Sequence, residues 1–127
     1  MVTWILWALI LAMLAWMGFN YLRIRRAAKI VDNEEFEALI RTGQLIDLRD
    51  PAEFHRKHIL GARNIPSSQL KTSLAALRKD KPVLIYENQR AQRVTNAALY
   101  LKKQGFSEIY ILSYGLDSWK GKVKVEK

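Results

Sequence analysis

Hydrophobic and polar positions divide the chain into three regimes. Trp4 to Leu22 is almost wholly apolar, and Met1 to Leu22 contains no charged side chain. From Lys29 onward, short apolar runs alternate with segments whose apolar residues recur every three or four positions, and Lys120 to Lys127 is a charged tail expected to fray. The runs Leu45-Ile46-Asp47-Leu48, Val83-Leu84-Ile85-Tyr86 and Ile109-Tyr110-Ile111-Leu112 predict buried strands, with Lys29-Ile30-Val31 as a short edge strand. Helical spacing joins Phe36, Leu39 and Ile40; Leu70, Leu74 and Leu77; and Val94, Ala97, Ala98 and Leu101.

Capping and breaking residues sharpen these boundaries. Asp32 with Glu35 has the form of a capping box, and its helix stops at Thr42-Gly43. Pro51 suits the first position of a short helix through Phe54, and Ser67 or Ser68 caps the helix of Leu70, Leu74 and Leu77. The helix beginning near Arg93 ends at Gln104-Gly105, with Gly105 in the left-handed cap. Tyr114 to Trp119 reads as a last short helix. Strands and helices alternating at this spacing imply an α/β domain with a parallel sheet covered on both faces.

The apolar segment is long enough to cross a bilayer, since about 20 residues at about 1.5 Å rise span roughly 30 Å. A cleaved signal peptide competes, but it places basic residues before a shorter apolar core, whereas Arg23, Arg25, Arg26 and Lys29 follow this one. We therefore expect a transmembrane helix over 1–22, a basic juxtamembrane linker over 23–28, an α/β domain over 29–121 and a charged tail over 122–127. The positive-inside rule puts the amino terminus outside and the domain in the cytoplasm. The lipid bilayer is then the partner of residues 4–22, and anionic lipid that of Arg23, Arg25, Arg26 and Lys29. Ala8 and Ala12 have small-xxx-small spacing, a weak dimerisation signal in an Ala/Leu-rich span.

The net charge is +9, but the 17 Lys/Arg and 12 Asp/Glu beyond residue 29 are spread without aromatic-basic alternation, which argues against nucleic acid. The chain has no cysteine, which excludes thiol, persulfide and disulfide chemistry by this chain itself. His55 and His58 are too few for a metal cluster, and neither a metal nor a cofactor is expected.

Chemistry points to the turn between Tyr86 and the helix of Val94 to Leu101. Glu87, Asn88, Gln89, Arg90, Ala91, Gln92 and Arg93 lie at the carboxyl end of a strand and feed a helix start, where backbone N–H groups converge. That makes the turn an anion-binding candidate.

Several motifs together resemble the rhodanese-like domain. Asp47-Leu48-Arg49, then Glu53-Phe54, then His58-Ile59-Leu60-Gly61-Ala62-Arg63-Asn64-Ile65-Pro66 match the family's D-x-R, E-[YF] and G-H-I-x-G-A-x-N-I-P, with Lys57 in place of the first glycine. Gly105-Phe106, Ile109 to Leu112 and Gly115 to Trp119 are similar to its closing motifs, so the resemblance spans residues 29 to 120. It implies that Val83 to Tyr86 carries the active-site loop. In sulfurtransferase members that loop opens with a persulfide-bearing cysteine; here the position holds Glu87. Arg90 stands where a glycine is common, and Arg93 lies six positions after Glu87, so the loop is one residue longer, as in phosphatase and arsenate-reductase relatives.

A carboxylate at Glu87 supplies the anion that a thiolate would otherwise be. At an effective dielectric near 20, unit charges about 4 Å apart interact by roughly 4 kcal/mol, so Arg93 or Arg90 would neutralise it and discourage phosphate or sulfate. Glutamate as a covalent nucleophile is chemically feasible but has no supporting metal or general acid here. Asp47 and Arg49 read as a structural ion pair with neighbours such as Glu53 or His58, and His58 as a hydrogen-bonded turn residue. The expectation is a membrane-anchored rhodanese-like protein without a catalytic residue or sulfurtransferase activity, serving as a binding or regulatory module for a cytoplasmic protein. The alternatives are sulfurtransferase or phosphatase-like activity using a partner's thiol, and a structural tether acting through the sheet edges or Tyr114.

Overall fold

The computed structural model describes residues 1–89 and 92–125, with the side chains of residues 23–27 outside the description. Helix α1, Val2–Ala27, continues through the basic segment read as a linker. Its apolar part, Val2–Leu22, is long and apolar enough to cross a membrane, and none of it is buried inside the protein.

The remainder is an α/β domain: β1 (Lys29–Val31), α2 (Asn33–Ile40), β2 (Gln44–Asp47), α3 (Pro51–Arg56), β3 (Lys57–Ile59), β4 (Arg63–Asn64), β5 (Val83–Tyr86), α4 (Gln92–Lys103), β6 (Ile109–Leu112) and β7 (Val123–Val125). The main sheet has the order β1-β6-β5-β2-β4 with every pair parallel. Strand alternation sends side chains to two cores. Val83, Ile85, Ile109 and Ile111 pack with Val94, Ala98 and Leu101 of α4, while Leu84, Tyr86 and Leu112 pack with Phe36 of α2.

Local signals are realised in backbone bonds. The Asp32 carboxylate accepts from the Glu35 N–H at 2.9 Å, and the N–H groups of Thr42 and Gly43 both return to the Leu39 carbonyl. Gly105 takes φ +100° at the end of α4, which a side chain would strain.

Three expectations fail. The segment of Leu70, Leu74 and Leu77 forms two 3-10 turns, Ser67–Gln69 and Leu74–Ala76, instead of one helix. The Ser73 N–H still makes one helical bond to the Gln69 carbonyl at 3.1 Å, but the segment does not continue it, and Gln44 ties both backbone groups of Arg78 to the start of β2. The charged tail forms a strand: β7 pairs antiparallel with β3, Lys57 opposite Val125 and Ile59 opposite Val123. Half-buried Val123 packs on the second core, contact that alternation of single apolar residues with lysines concealed. The last helix is likewise a single 3-10 turn, Leu116–Ser118.

Candidate functional site

The carboxyl ends of β2 and β5 are adjacent strands in register, so Asp47 and Glu87 emerge on one rim of the sheet. Asp47 is fully buried and Arg49 nearly so. The Arg49 guanidinium donates to both Asp47 oxygens, at 2.8 Å from Nη2 and 3.1 Å from Nε, and its backbone N–H adds a third bond to Asp47. Nη2 also reaches the Lys57 carbonyl. Burial opposes the Arg49 charge, but the hydrogen bond and charge of Asp47 outweigh it and hold the guanidinium more firmly protonated than usual.

This pair extends toward the loop. Arg49 Nη1 donates to Asn88 Oδ1 at 3.0 Å, and Asn88 Nδ2 donates to Glu53 Oε2 at 2.7 Å. Glu53 therefore joins through Asn88. His58 sits apart from the pair: its Nδ1 lies 2.7 Å from the Phe54 carbonyl, and its ring stacks on Phe54 at 3.8 Å between centroids. The Asp47–Arg49 pairing itself is internal, with neither Glu53 nor His58 as a direct partner in the ion pair.

Glu87 is 4 % exposed and turns back toward α4. Arg93 Nη2 donates to Glu87 Oε1, while Oε2 is buried without a hydrogen-bond partner. Burial raises the Glu87 carboxyl above its ordinary value, more than Arg93 lowers it. Arg93 itself is half-exposed and borders an apolar groove of about 280 Å3 formed with Leu70, Ala97 and Tyr100. Gln89 and Gln92 are exposed, with Gln89 at 3.4 Å from Asp117 and Gln92 bonded to Asn96. Arg90 and Ala91 lie outside the described residues.

Three supports of the loop escaped the sequence reading. The Leu116 and Asp117 N–H groups donate to the Glu87 and Asn88 carbonyls at 2.8 and 3.0 Å. Gly115, at φ +71°, lets this happen, because a Cβ there would stand 2.4 Å from the Asn88 carbonyl oxygen. The Tyr86 hydroxyl accepts from the Ile59 N–H at 3.1 Å, and burial followed by the Asp47 charge pushes the phenol far above its usual range. Gly115 was the available signal, since a loop needing a positive φ at a strand end marks a close approach. A mixed-charge cavity of about 290 Å3 opens beside the loop among Arg49, Glu53, Arg56, Lys57 and Asn88.

Chemically, the rim offers fixed charges and hydrogen-bond donors but no thiol. Among the described residues no group of His, Cys, Asp and Glu is placed to hold a metal ion.

Such a parallel sheet, with a strand-loop-helix site at its carboxyl rim, is the architecture of a rhodanese-like domain. The Rhodanese-like domain family model matches residues 32–122, and the chain belongs to this family. It is similar to the uncharacterized protein YqhL of Bacillus subtilis (strain 168), with 47% identity over 116 residues and 91% of each chain covered. It is also 36% identical over 95 residues to the thiosulfate sulfurtransferase GlpE of Stutzerimonas stutzeri (strain A1501), covering 72% of this chain and 84% of that one. A full-length protein from Lactobacillus plantarum shares the fold, with TM-score 0.70, 22% identity and coverage of 91% and 98%. The chain is thus a rhodanese-like domain protein without cysteine, lacking the thiol on which a persulfide would form.

Proposed function

We propose that this is a single-pass membrane protein with its amino terminus outside and a cytoplasmic rhodanese-like domain that binds a protein partner instead of transferring sulfur. The bilayer would hold residues 4–22, and anionic lipid would meet Arg23, Arg25, Arg26 and Lys29. Supporting the anchor, the alignment with YqhL is longer than residues 29–127 and so runs into the apolar helix. The observation that carries the binding reading is Glu87 buried against Arg93 at the end of β5. A carboxylate occupies the position of a charge-stabilised thiolate and uses the local arginine itself.

The Asn88 to Arg93 loop, framed by Asp47, Arg49 and Glu53, is then a recognition surface. The test is NMR of the full chain in nanodiscs, following the amides of Asn88, Gln89, Gln92 and Arg93 as phosphate, sulfate and thiosulfate are added. Wild type should stay unperturbed while Glu87→Ala responds, because removing the built-in anion frees Arg93. Tight anion binding by wild type would instead favour an enzyme that borrows a partner's thiol.

A further inference from the structure

The five strands of the main sheet run parallel, so their first residues share one rim and their last residues the other. Glu87 and Asp47 occupy the carboxyl rim. Lys29 opens β1 directly after α1, and Ala28 is buried in the same core as Ala97, Leu101 and Ile109. Helix α1 therefore enters at the amino rim, where its end lies beside α4.

That amino rim is basic. The connections bring Arg41 to the start of β2, Arg78, Lys79 and Lys81 to the start of β5, and Lys102 and Lys103 to the end of α4, all exposed. Only Asp80 and Glu108 oppose them in these connections, and Asp80 is held by Arg78 at 2.6 Å. The carboxyl rim is of mixed charge, with Asp32, Glu34 and Glu35 at the start of α2 and Asp50, Glu53 and Asp117 around the loop set against Arg56, Lys57 and Arg93. A cavity of about 310 Å3 also opens on the amino side between Gly43, Arg63, Arg78 and Lys81, roomy enough for the oxygens of a phosphodiester.

Resting on the reading that α1 spans a bilayer, we propose that the amino rim docks on the anionic leaflet α1 crosses, holding the Glu87 loop away from the membrane. Two observations select this occupant. The covalent link at Ala28 holds any bilayer crossed by α1 close to this rim, making its encounter intramolecular. The rim's charge is complementary to an anionic leaflet, which attracts each basic residue within about a Debye length.

Because the chain has no cysteine, a single introduced thiol can report on each rim. Full-length Ser107→Cys and Tyr114→Cys proteins, fluorescently labelled, would be placed in nanodiscs of phosphatidylcholine alone or of equal parts phosphatidylcholine and phosphatidylglycerol, with quencher-bearing lipids. The Ser107 label should be quenched in the anionic discs and much less in the neutral ones, while the Tyr114 label stays unquenched in both. High salt, or Lys79→Glu, Lys81→Glu, Lys102→Glu and Lys103→Glu together, should return the Ser107 signal to its neutral-disc level. Each single neutralisation should lower the docked-to-undocked ratio roughly fivefold. The salt arm reads the interaction without changing any charge on the rim. Equal Ser107 quenching in the two lipids, or stronger quenching at Tyr114, would overturn the docking. Salt-resistant flotation with phosphatidylcholine vesicles reads α1 separately: loss of flotation overturns both readings, and flotation with lipid-independent Ser107 quenching overturns the docking alone.

Discussion

Arg93 reaches back from the first turn of α4 to Oε1 of Glu87 at the end of β5, and Oε2 of the same carboxylate is left buried without a hydrogen bond. The pairing is lopsided, since Arg93 is half in solvent while Glu87 is almost wholly out of it. Half of the carboxylate is satisfied and half is not, which is why burial dominates its titration.

Glu87→Gln is therefore expected to stabilise the protein at neutral pH by on the order of 1 kcal/mol, because it removes a buried charge at the cost of a half-exposed pair. The folded carboxyl is raised above the ordinary 4.5, so the folded state holds this proton more tightly than the unfolded chain. Its stabilising contribution is complete below about pH 4.5 and is lost as pH rises through the folded value. Denaturant unfolding of the full chain in detergent from pH 4 to 7 should show the variant gaining on wild type as pH increases. A wild type that is the more stable at pH 7 would show that the ion pair outweighs burial.

Restoring a thiol alone should not restore sulfur transfer. Glu87→Cys is expected to give weak or no thiocyanate from thiosulfate and cyanide, because the family resemblance implies a loop one residue longer, with Arg90 where a glycine is common. Vigorous turnover would mean the rest of the loop had kept its sulfurtransferase geometry.

Arg49→Ala should destabilise the domain by about 3–5 kcal/mol, since it strands the buried Asp47 carboxylate and frees Asn88 and the Lys57 carbonyl together. Thermal unfolding measures this. A loss under about 1 kcal/mol would show that water or another cation reaches Asp47, as at an exposed pair.

At Gly115, alanine meets both an unfavourable φ of +71° and the Asn88 carbonyl. Gly115→Ala should cost about 1–2 kcal/mol in backbone strain alone. It should also shift the amide resonances of Asn88 and Gln89, which a remote destabilisation would leave in place.

Legibility tracked the range of the interaction. Val83 to Tyr86 and Val94 to Leu101 could be read because burial imposes a local period, and Asp32 and Gly105 because caps act within a few residues. The same periodicity misled at Leu70, Leu74 and Leu77, where all three leucines meet the core from 3-10 turns and the intervening stretch. At the site, the sequence offered Glu87 opposite a choice of arginines and offered Asp47 and Arg49 a choice of partners. Side-chain reach alone could not decide between them.

The sequence by itself determined the apolar helix, the alternating α/β order, the absence of a thiol and the carboxylate at the loop's first position, all consequences of composition and short-range spacing. Tertiary structure decided the strand order β1-β6-β5-β2-β4, the pairing of Val123–Val125 with Lys57–Ile59, and the Leu116 and Asp117 amides that hold the loop. It also turned Arg49 inward on Asp47 and Arg93 back on Glu87. These contacts follow from how distant segments compete to satisfy buried polar groups once the sheet brings them together, a competition that no local pattern encodes.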